Sequence, residues 1–210
     1  MHSRSCAQNT RSTPPVIALS GGPGAGKTHI ASALVAANPS QVQVVPEVST
    51  LLLTHLFPAI HSPQERRAFQ RALYYTQLGL EEVALAREGD TRPLLCDRGT
   101  IDGAAYWPDG SEAFFRTMGS SLETELQRYQ AVVFLETAAL GGLPIHEGNP
   151  TRQEDCVAAT QIHHRLYALW VQHPNFYYLP HQPNFSHKVR LGAELIERQL
   201  KQVASQPERP

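Results

Sequence analysis

Gly21-Gly22-Pro23-Gly24-Ala25-Gly26-Lys27-Thr28 matches the pattern G-x-x-x-x-G-K-[ST] at every position. The apolar run Val16–Leu19 precedes it and the helical run Thr28–Ala37 follows. Glycines let the backbone curl until successive N–H groups point inward, and a helix adds its positive N-terminal end. The stretch therefore predicts a phosphate-binding loop between a strand and a helix, and a plain glycine-rich turn is the alternative.

The last two residues of this loop carry the predicted chemistry. We expect Lys27 to reach the outer phosphates of a nucleoside triphosphate, and the Thr28 hydroxyl to lie on Mg²⁺. The predicted cofactors are therefore ATP, with GTP also possible, and Mg²⁺. All eight residues from Gly21 to Thr28 are predicted nucleotide contacts.

Short apolar runs recur along the chain and alternate with longer helical segments. Runs of this kind are typical of strands that are buried on both faces of a parallel sheet, with helices as crossovers. They are Val16–Leu19, Val42–Val45, Leu94–Cys96, Ala131–Leu135 and Phe176–Leu179. The prediction is a three-layer α/β fold with a five-stranded, mainly parallel sheet and helices on both faces.

Helix boundaries are marked by capping signals. Ser62-Pro63-Gln64-Glu65 is a capping box with an early proline, and it predicts a helix to about Glu88. Thr151-Arg152-Gln153-Glu154 is a second capping box, and a last helix is predicted over about His187 to Val203. We predict one domain over residues 15–204, a disordered leader over 1–14 and a loose tail over 205–210.

Composition narrows the class of protein. The chain has 210 residues, of which 41% are hydrophobic and 18% charged, with a net charge of −1. The hydrophobic content excludes disorder for most of the chain. The net charge argues against a protein that binds nucleic acid through a large excess of positive charge. No apolar run is long enough for a predicted membrane span. The three cysteines, Cys6, Cys96 and Cys156, do not suggest a disulfide framework, so we expect a reducing, cytoplasmic location.

Glu47 follows the predicted second strand directly after Pro46. Residues just past the carboxyl ends of parallel strands line the ligand crevice of such a sheet. A carboxylate there could accept a proton from a substrate hydroxyl or orient a water molecule. The alternative is a surface glutamate in the first turn of the next helix, where the helix dipole favours it.

Asp97 and Arg98 end the predicted third strand. We expect Asp97 to hold the Mg²⁺ shell together with Thr28, and a strand-end salt bridge is the alternative. Arg98 stands where a second acid would activate water in many ATPases, so it favours holding a phosphoryl group during transfer. Asp102 follows one turn later and could anchor Arg98 or touch the substrate.

Arg152 follows the segment Leu140–Pro150, which is rich in glycine and proline. Such a segment could close over bound nucleotide and bring Arg152 to the transferring phosphate. A solvated arginine beside a capping box is the alternative.

The combination of these segments resembles a known family. It consists of Ser20 with the phosphate loop, Val45-Pro46-Glu47, Cys96-Asp97-Arg98-Gly99 with Asp102 and Tyr106, and Arg152. The family is the AAA-type ATPase domain family that includes the TRPL translocation defect proteins, and it is similar to the nicotinamide riboside kinase domain of NadR. The resemblance spans about residues 15 to 180. It implies a nucleoside-kinase-like core that binds ATP or GTP, but it names no acceptor and does not imply a hexameric motor.

Two functions fit these observations. The first is a Mg²⁺-dependent ATPase or kinase that acts on a small hydroxyl-bearing metabolite or nucleoside. The second is a nucleotide-gated switch for a protein or lipid partner, with tight binding and feeble turnover. The acceptor, the base preference and the oligomeric state stay open at this point.

Overall fold

The computed structural model describes residues 14–37, 39–55, 60–142 and 155–204. Five strands form one sheet in the order β2-β3-β1-β4-β5, and every neighbouring pair is parallel. The strands are β1 Val16–Gly21, β2 Gln43–Val45, β3 Leu94–Asp97, β4 Ala131–Leu135 and β5 Phe176–Leu179. The predicted sheet is thus confirmed and is parallel throughout.

Helices cover both faces of this sheet. The α-helices are α1 Lys27–Ala37, α2 Val48–His55, α3 Pro63–Leu85, α4 Ser111–Met118, α5 Leu122–Gln127, α6 Cys156–Trp170 and α7 Phe185–Ala204. Two 3₁₀ turns cover Asp102–Tyr106 and Ala138–Gly141. None of the helices in the described part of the chain combines the length and the apolar character needed to cross a membrane.

Alternate residues of the central strands build two separate cores. Ile17 and Leu19 of β1 pack with side chains of α1 and α7, whereas Val16 and Ala18 pack with side chains of α3 and α6. Because successive side chains of a strand point to opposite faces, a strand covered on both sides must be apolar at every position. This explains the unbroken apolar runs of β1 and β4, which are fully buried.

Several helix boundaries differ from the predictions. The Ser62 capping box is present, but α3 ends at Leu85 instead of Glu88. The N-cap of α6 is Asp155, whose side chain accepts from the Ala158 amide. The second predicted capping box, residues 151–154, lies outside the described residues, as do 1–13 and 205–210. Aspartate and threonine are both favoured N-cap residues, so the residue type alone does not decide between the two positions.

A pair of glycine substitutions tests how tightly the loop meets the sheet. Gly21 ends β1 with a φ of 142°, and an added Cβ would lie 2.3 Å from the Leu135 carbonyl oxygen. Gly21→Ala is expected to lower the free energy of unfolding by at least about 2 kcal/mol, since backbone must move. Gly79→Ala, in open space on α3, is expected to raise it by about 1 kcal/mol because alanine favours helix. Urea unfolding of both variants measures the two changes in the free energy of unfolding, which should have opposite signs. Changes of the same sign and size would contradict this account.

Candidate functional site

The phosphate loop lies at the carboxyl end of β1, in the middle of the sheet. Its backbone takes left-handed conformations at Gly24 and Gly26, with φ of 73° and 90°, and α1 begins at Lys27. The Thr137 hydroxyl at the end of β4 donates to the Pro23 carbonyl and ties the loop to the next strand. The loop is thus a fixed concave backbone in front of a helix N-terminus, which is a geometry that suits phosphate.

Lys27 is almost fully buried inside this loop. Its ammonium donates to the carbonyl oxygens of Gly21 and Gly22 at 2.9 and 3.2 Å. Burial, together with the nearby Arg98 guanidinium, lowers the pKa of Lys27 to about 8. A polyanion in the loop would strongly favour the protonated form of Lys27, so the side chain is well placed to form an ion pair with a bound phosphate.

Thr28 and Asp97 meet beside the loop. The Thr28 hydroxyl donates to Asp97 Oδ2 at 2.7 Å, while Oδ1 of the same carboxylate is buried without a hydrogen-bond partner among the described residues. Burial and the nearby Glu47 carboxylate raise the pKa of Asp97. A hydroxyl and an unsatisfied carboxylate are hard oxygen ligands, and they fit a Mg²⁺ ion.

Glu47 and Arg98 form a close ion pair at the same edge of the sheet. Arg98 Nε donates to Glu47 Oε1 at 2.5 Å, and the two side chains are only 18% and 12% exposed. Glu47 also accepts from the Thr50 hydroxyl. Burial alone would raise the pKa of Glu47, but Arg98 and Lys27 outweigh it and hold this pKa well below its usual range. Glu47 is therefore an ionised, enclosed carboxylate and not the solvated surface residue of the alternative interpretation.

Asp102 is the second acid on Arg98. Its Oδ2 lies 3.3 Å from Arg98 Nη1, and its Oδ1 accepts from the Ser20 hydroxyl and from Trp170 Nε1 at 2.8 and 2.7 Å. Burial raises the pKa of Asp102 in spite of Arg98. Asp102 thus links Arg98 to both β1 and α6. The Arg98 guanidinium lies between Glu47 and Asp102, and its Cζ is 6.0 Å from the centre of the Tyr106 ring.

Arg98 has an unusual backbone. Its φ is 79°, in the left-handed region that non-glycine residues seldom occupy, and among the described residues it is the one such case besides glycines. The amide of Arg98 donates to the Leu19 carbonyl, and Gln77 Nε2 donates to the carbonyl of Arg98 at 3.1 Å. The chain therefore turns sharply at the end of β3 and aims the guanidinium at Glu47.

A cavity opens next to this ion pair. Its interior volume is about 140 Å³, close to the ~150 Å³ of an engineered cavity that holds a benzene molecule. Glu47, Arg98 and Asp102 line it together with Pro23 of the phosphate loop. Arg66 and several hydroxyl side chains lie beside them, and much of the remaining lining is apolar or amide: Val48, Leu53, Phe69, Gln70, Leu73, Tyr74 and Gln77.

The structure brings most of the predicted site residues to one place. Lys27, Thr28, Glu47, Asp97 and Arg98 converge at the carboxyl edge of the sheet. Arg152 lies outside the described residues, so its predicted role stays a prediction.

Sequence reasoning missed three residues that shape the site, Ser20, Gln77 and Trp170. In the sequence, Ser20 stands out only as the residue before the loop, and a tryptophan in an apolar helix such as Trp170 is more typical of a core residue. Nothing in the α3 sequence distinguishes Gln77 from a surface glutamine.

Comparisons with known proteins agree with this geometry. Residues 16–184 match the family model described as AAA domain. Among solved structures, the chain is similar to deoxyadenosine kinase from M. mycoides with bound dATP, at a TM-score of 0.61 and 12% identity, over 89% of this chain and 99% of that chain. A search of curated proteins gave no significant match. The fold is therefore that of a P-loop nucleoside kinase, and the protein belongs to the AAA domain family.

Proposed function

We propose that the protein is an ATP-binding, Mg²⁺-dependent phosphotransferase that moves a phosphoryl group to a hydroxyl of a small molecule. The acceptor class is a small hydroxyl-bearing metabolite or nucleoside, and GTP is a possible second donor. The structural relative is a deoxyadenosine kinase by its description, which supports a nucleoside as the first acceptor to test.

The cavity beside Glu47 is the observation that supports transfer over simple hydrolysis. Its lining includes the Glu47–Arg98 ion pair and Pro23 of the phosphate loop. An acceptor in this cavity would have its hydroxyl between the carboxylate and the outer phosphate. A hydrolase needs only water there and has no use for a walled apolar cavity.

Glu47 has the central role in the proposed reaction. Because its pKa is held low, it stays ionised and accepts a hydrogen bond from the acceptor hydroxyl, which orients the oxygen towards the γ-phosphorus. The oxygen–phosphorus bond to the acceptor forms, the bond to the β-phosphate oxygen breaks, and ADP leaves. The hydroxyl proton passes to Glu47 as the oxygen loses electron density.

The remaining charges stabilise the outer phosphates. Lys27 supplies an ammonium inside the loop, and Arg98 supplies a guanidinium at the side of the acceptor. Thr28 and Asp97 would hold Mg²⁺, which when bound neutralises phosphate charge. Arg152 is proposed to add a further positive charge at the transferring phosphate.

The direct test is a panel of nucleosides and hydroxyl-bearing metabolites with ATP labelled at the γ-phosphate. The proposal expects label to appear on at least one acceptor in a Mg²⁺-dependent manner. Tight ATP binding with only slow hydrolysis across the whole panel would contradict it and would favour the nucleotide-gated switch.

Asp97→Asn tests the metal assignment. An amide keeps the size but loses the charge that attracts a hard cation, so we expect the Mg²⁺ concentration for half-maximal activity to rise by roughly tenfold or more. The Thr28 hydroxyl can still donate to the amide oxygen, so the fold should persist. A Mg²⁺ titration of activity measures the shift, and Asp109→Asn, on the exposed ion pair with Arg67, is the control. An unchanged titration would make Asp97 a structural residue only.

A further inference from the structure

A buried polar network centred on Glu81 of α3 contacts the backbone of Arg98. Glu81 is 1% exposed and accepts hydrogen bonds from Gln77 Nε2 at 2.8 Å, Arg128 Nη2 at 2.7 Å and the Tyr129 hydroxyl at 3.0 Å. A buried carboxylate with three donors is fully compensated, and it fixes the position of each donor in return.

Gln77 joins this network to Arg98. Its Nε2 carries two hydrogens, and the two neighbours at that atom, the Glu81 carboxylate and the Arg98 carbonyl, can only accept. The amide orientation is thus dictated by its surroundings. Gln77 is 5% exposed although its side chain reaches the cavity wall, so most of its surface is packed against protein.

The two peptide groups that flank Arg98 are held in different ways. The peptide before it donates from the Arg98 amide to the Leu19 carbonyl and so belongs to the sheet. The peptide after it is held through its carbonyl by Gln77. Since φ and ψ of a residue are set by its two flanking peptides, the sheet and Gln77 together define the left-handed backbone at Arg98.

This conformation costs an ordinary residue about 1–2 kcal/mol, so the segment would relax if one restraint were removed. A relaxed backbone would swing the guanidinium away from Glu47, whose carboxylate lies 2.5 Å from Arg98 Nε. Tyr129 adds a second contact downstream, because its hydroxyl also accepts from the Thr100 amide at 2.8 Å.

We propose that Gln77, anchored by Glu81, is a positioning residue that fixes the Arg98 backbone and thereby keeps the Arg98 guanidinium on Glu47. Its consequence for catalysis rests on the proposed phosphotransferase function. The positioning itself is a property of the folded chain and can be tested without turnover.

The test is an NMR titration of Glu47 in protein labelled with ¹³C at glutamate carboxyls, with the signal assigned from its loss in Glu47→Gln. The variant is Gln77→Met, which keeps the length of the side chain and removes both hydrogen bonds. Without Arg98 in place the carboxylate loses its main stabilising charge. We therefore expect Glu47 of the variant to titrate within the pH range in which the protein is folded, whereas Glu47 of the wild type stays ionised throughout that range. Gln199→Met, an equally buried glutamine on α7, should leave the titration unchanged.

A folded Gln77→Met protein in which Glu47 titrates as in the wild type would overturn the proposal. Should Gln77→Met not fold, Gln77→Asn replaces it, since the shorter amide cannot reach Glu81 and Arg98 together; the same titration of Glu47 is expected and its absence is equally decisive. A panel that yields no acceptor would defeat the proposed function but would not alter this titration, so the two failures are distinguishable.

Discussion

Replacing Glu47 by glutamine is expected to slow phosphate transfer to the acceptor by roughly 10²-fold or more, while ATP affinity stays nearly unchanged. Glutamine keeps an oxygen that Arg98 Nε can still contact, but it cannot take the proton of the acceptor hydroxyl. The loss should therefore appear in kcat with the labelled-ATP assay, and ATP binding by calorimetry should match the wild type.

The control for this variant is Glu112→Gln, which removes an exposed carboxylate from the first turn of α4. It should leave both transfer and binding intact. Thermal unfolding at neutral pH must show that Glu47→Gln is folded, because Glu47 is enclosed and ion-paired. Acceptor phosphorylation that survives the substitution at full rate would remove Glu47 from the mechanism.

Removal of the Lys27 ammonium has the second large expected effect. Lys27→Ala should abolish detectable phosphate transfer, a loss of at least roughly 10²- to 10³-fold, because one charge aimed at the developing phosphate charge disappears from a water-poor site. ATP binding should weaken as well, since the same ammonium contacts the phosphates before reaction. The readouts are labelled-ATP transfer and the rise in melting temperature that ATP causes.

The fold should tolerate this change, since the hydrogen bonds of the Lys27 ammonium within the described residues go to two loop carbonyls, and burial lowers the pKa of Lys27 to about 8. Lys201→Ala on exposed α7 surface is the matched control and should bind ATP like the wild type. A folded Lys27→Ala protein with near-normal turnover would contradict the phosphate-loop assignment.

Local patterns were sufficient to predict the sheet and the loop. Buried parallel strands need apolar side chains on both faces, so β4 could be bounded to the residue from hydrophobicity alone. The apolar run of β5 also matched its observed bounds, although this edge strand is partly exposed. Helix ends were less certain, because several neighbouring residues are suitable N-caps, and the N-cap of α6 is Asp155, four residues after the predicted Thr151.

The narrower family resemblance, to TRPL translocation defect proteins and the NadR kinase domain, remains an expectation. The comparisons support the AAA domain family and the nucleoside-kinase fold. The acceptor likewise stays a matter for experiment.

The sequence by itself determined the phosphate loop and the edge of the sheet at which chemistry takes place, because eight consecutive residues and the ends of parallel strands are local or topological features. Only the tertiary structure decided what Glu47 and Arg98 do to each other. They are 51 positions apart, and their ion pair depends on a left-handed backbone at Arg98 that β1 and α3 hold from two sides. No spacing in the chain encodes that contact, since it arises from packing between elements that are distant in sequence.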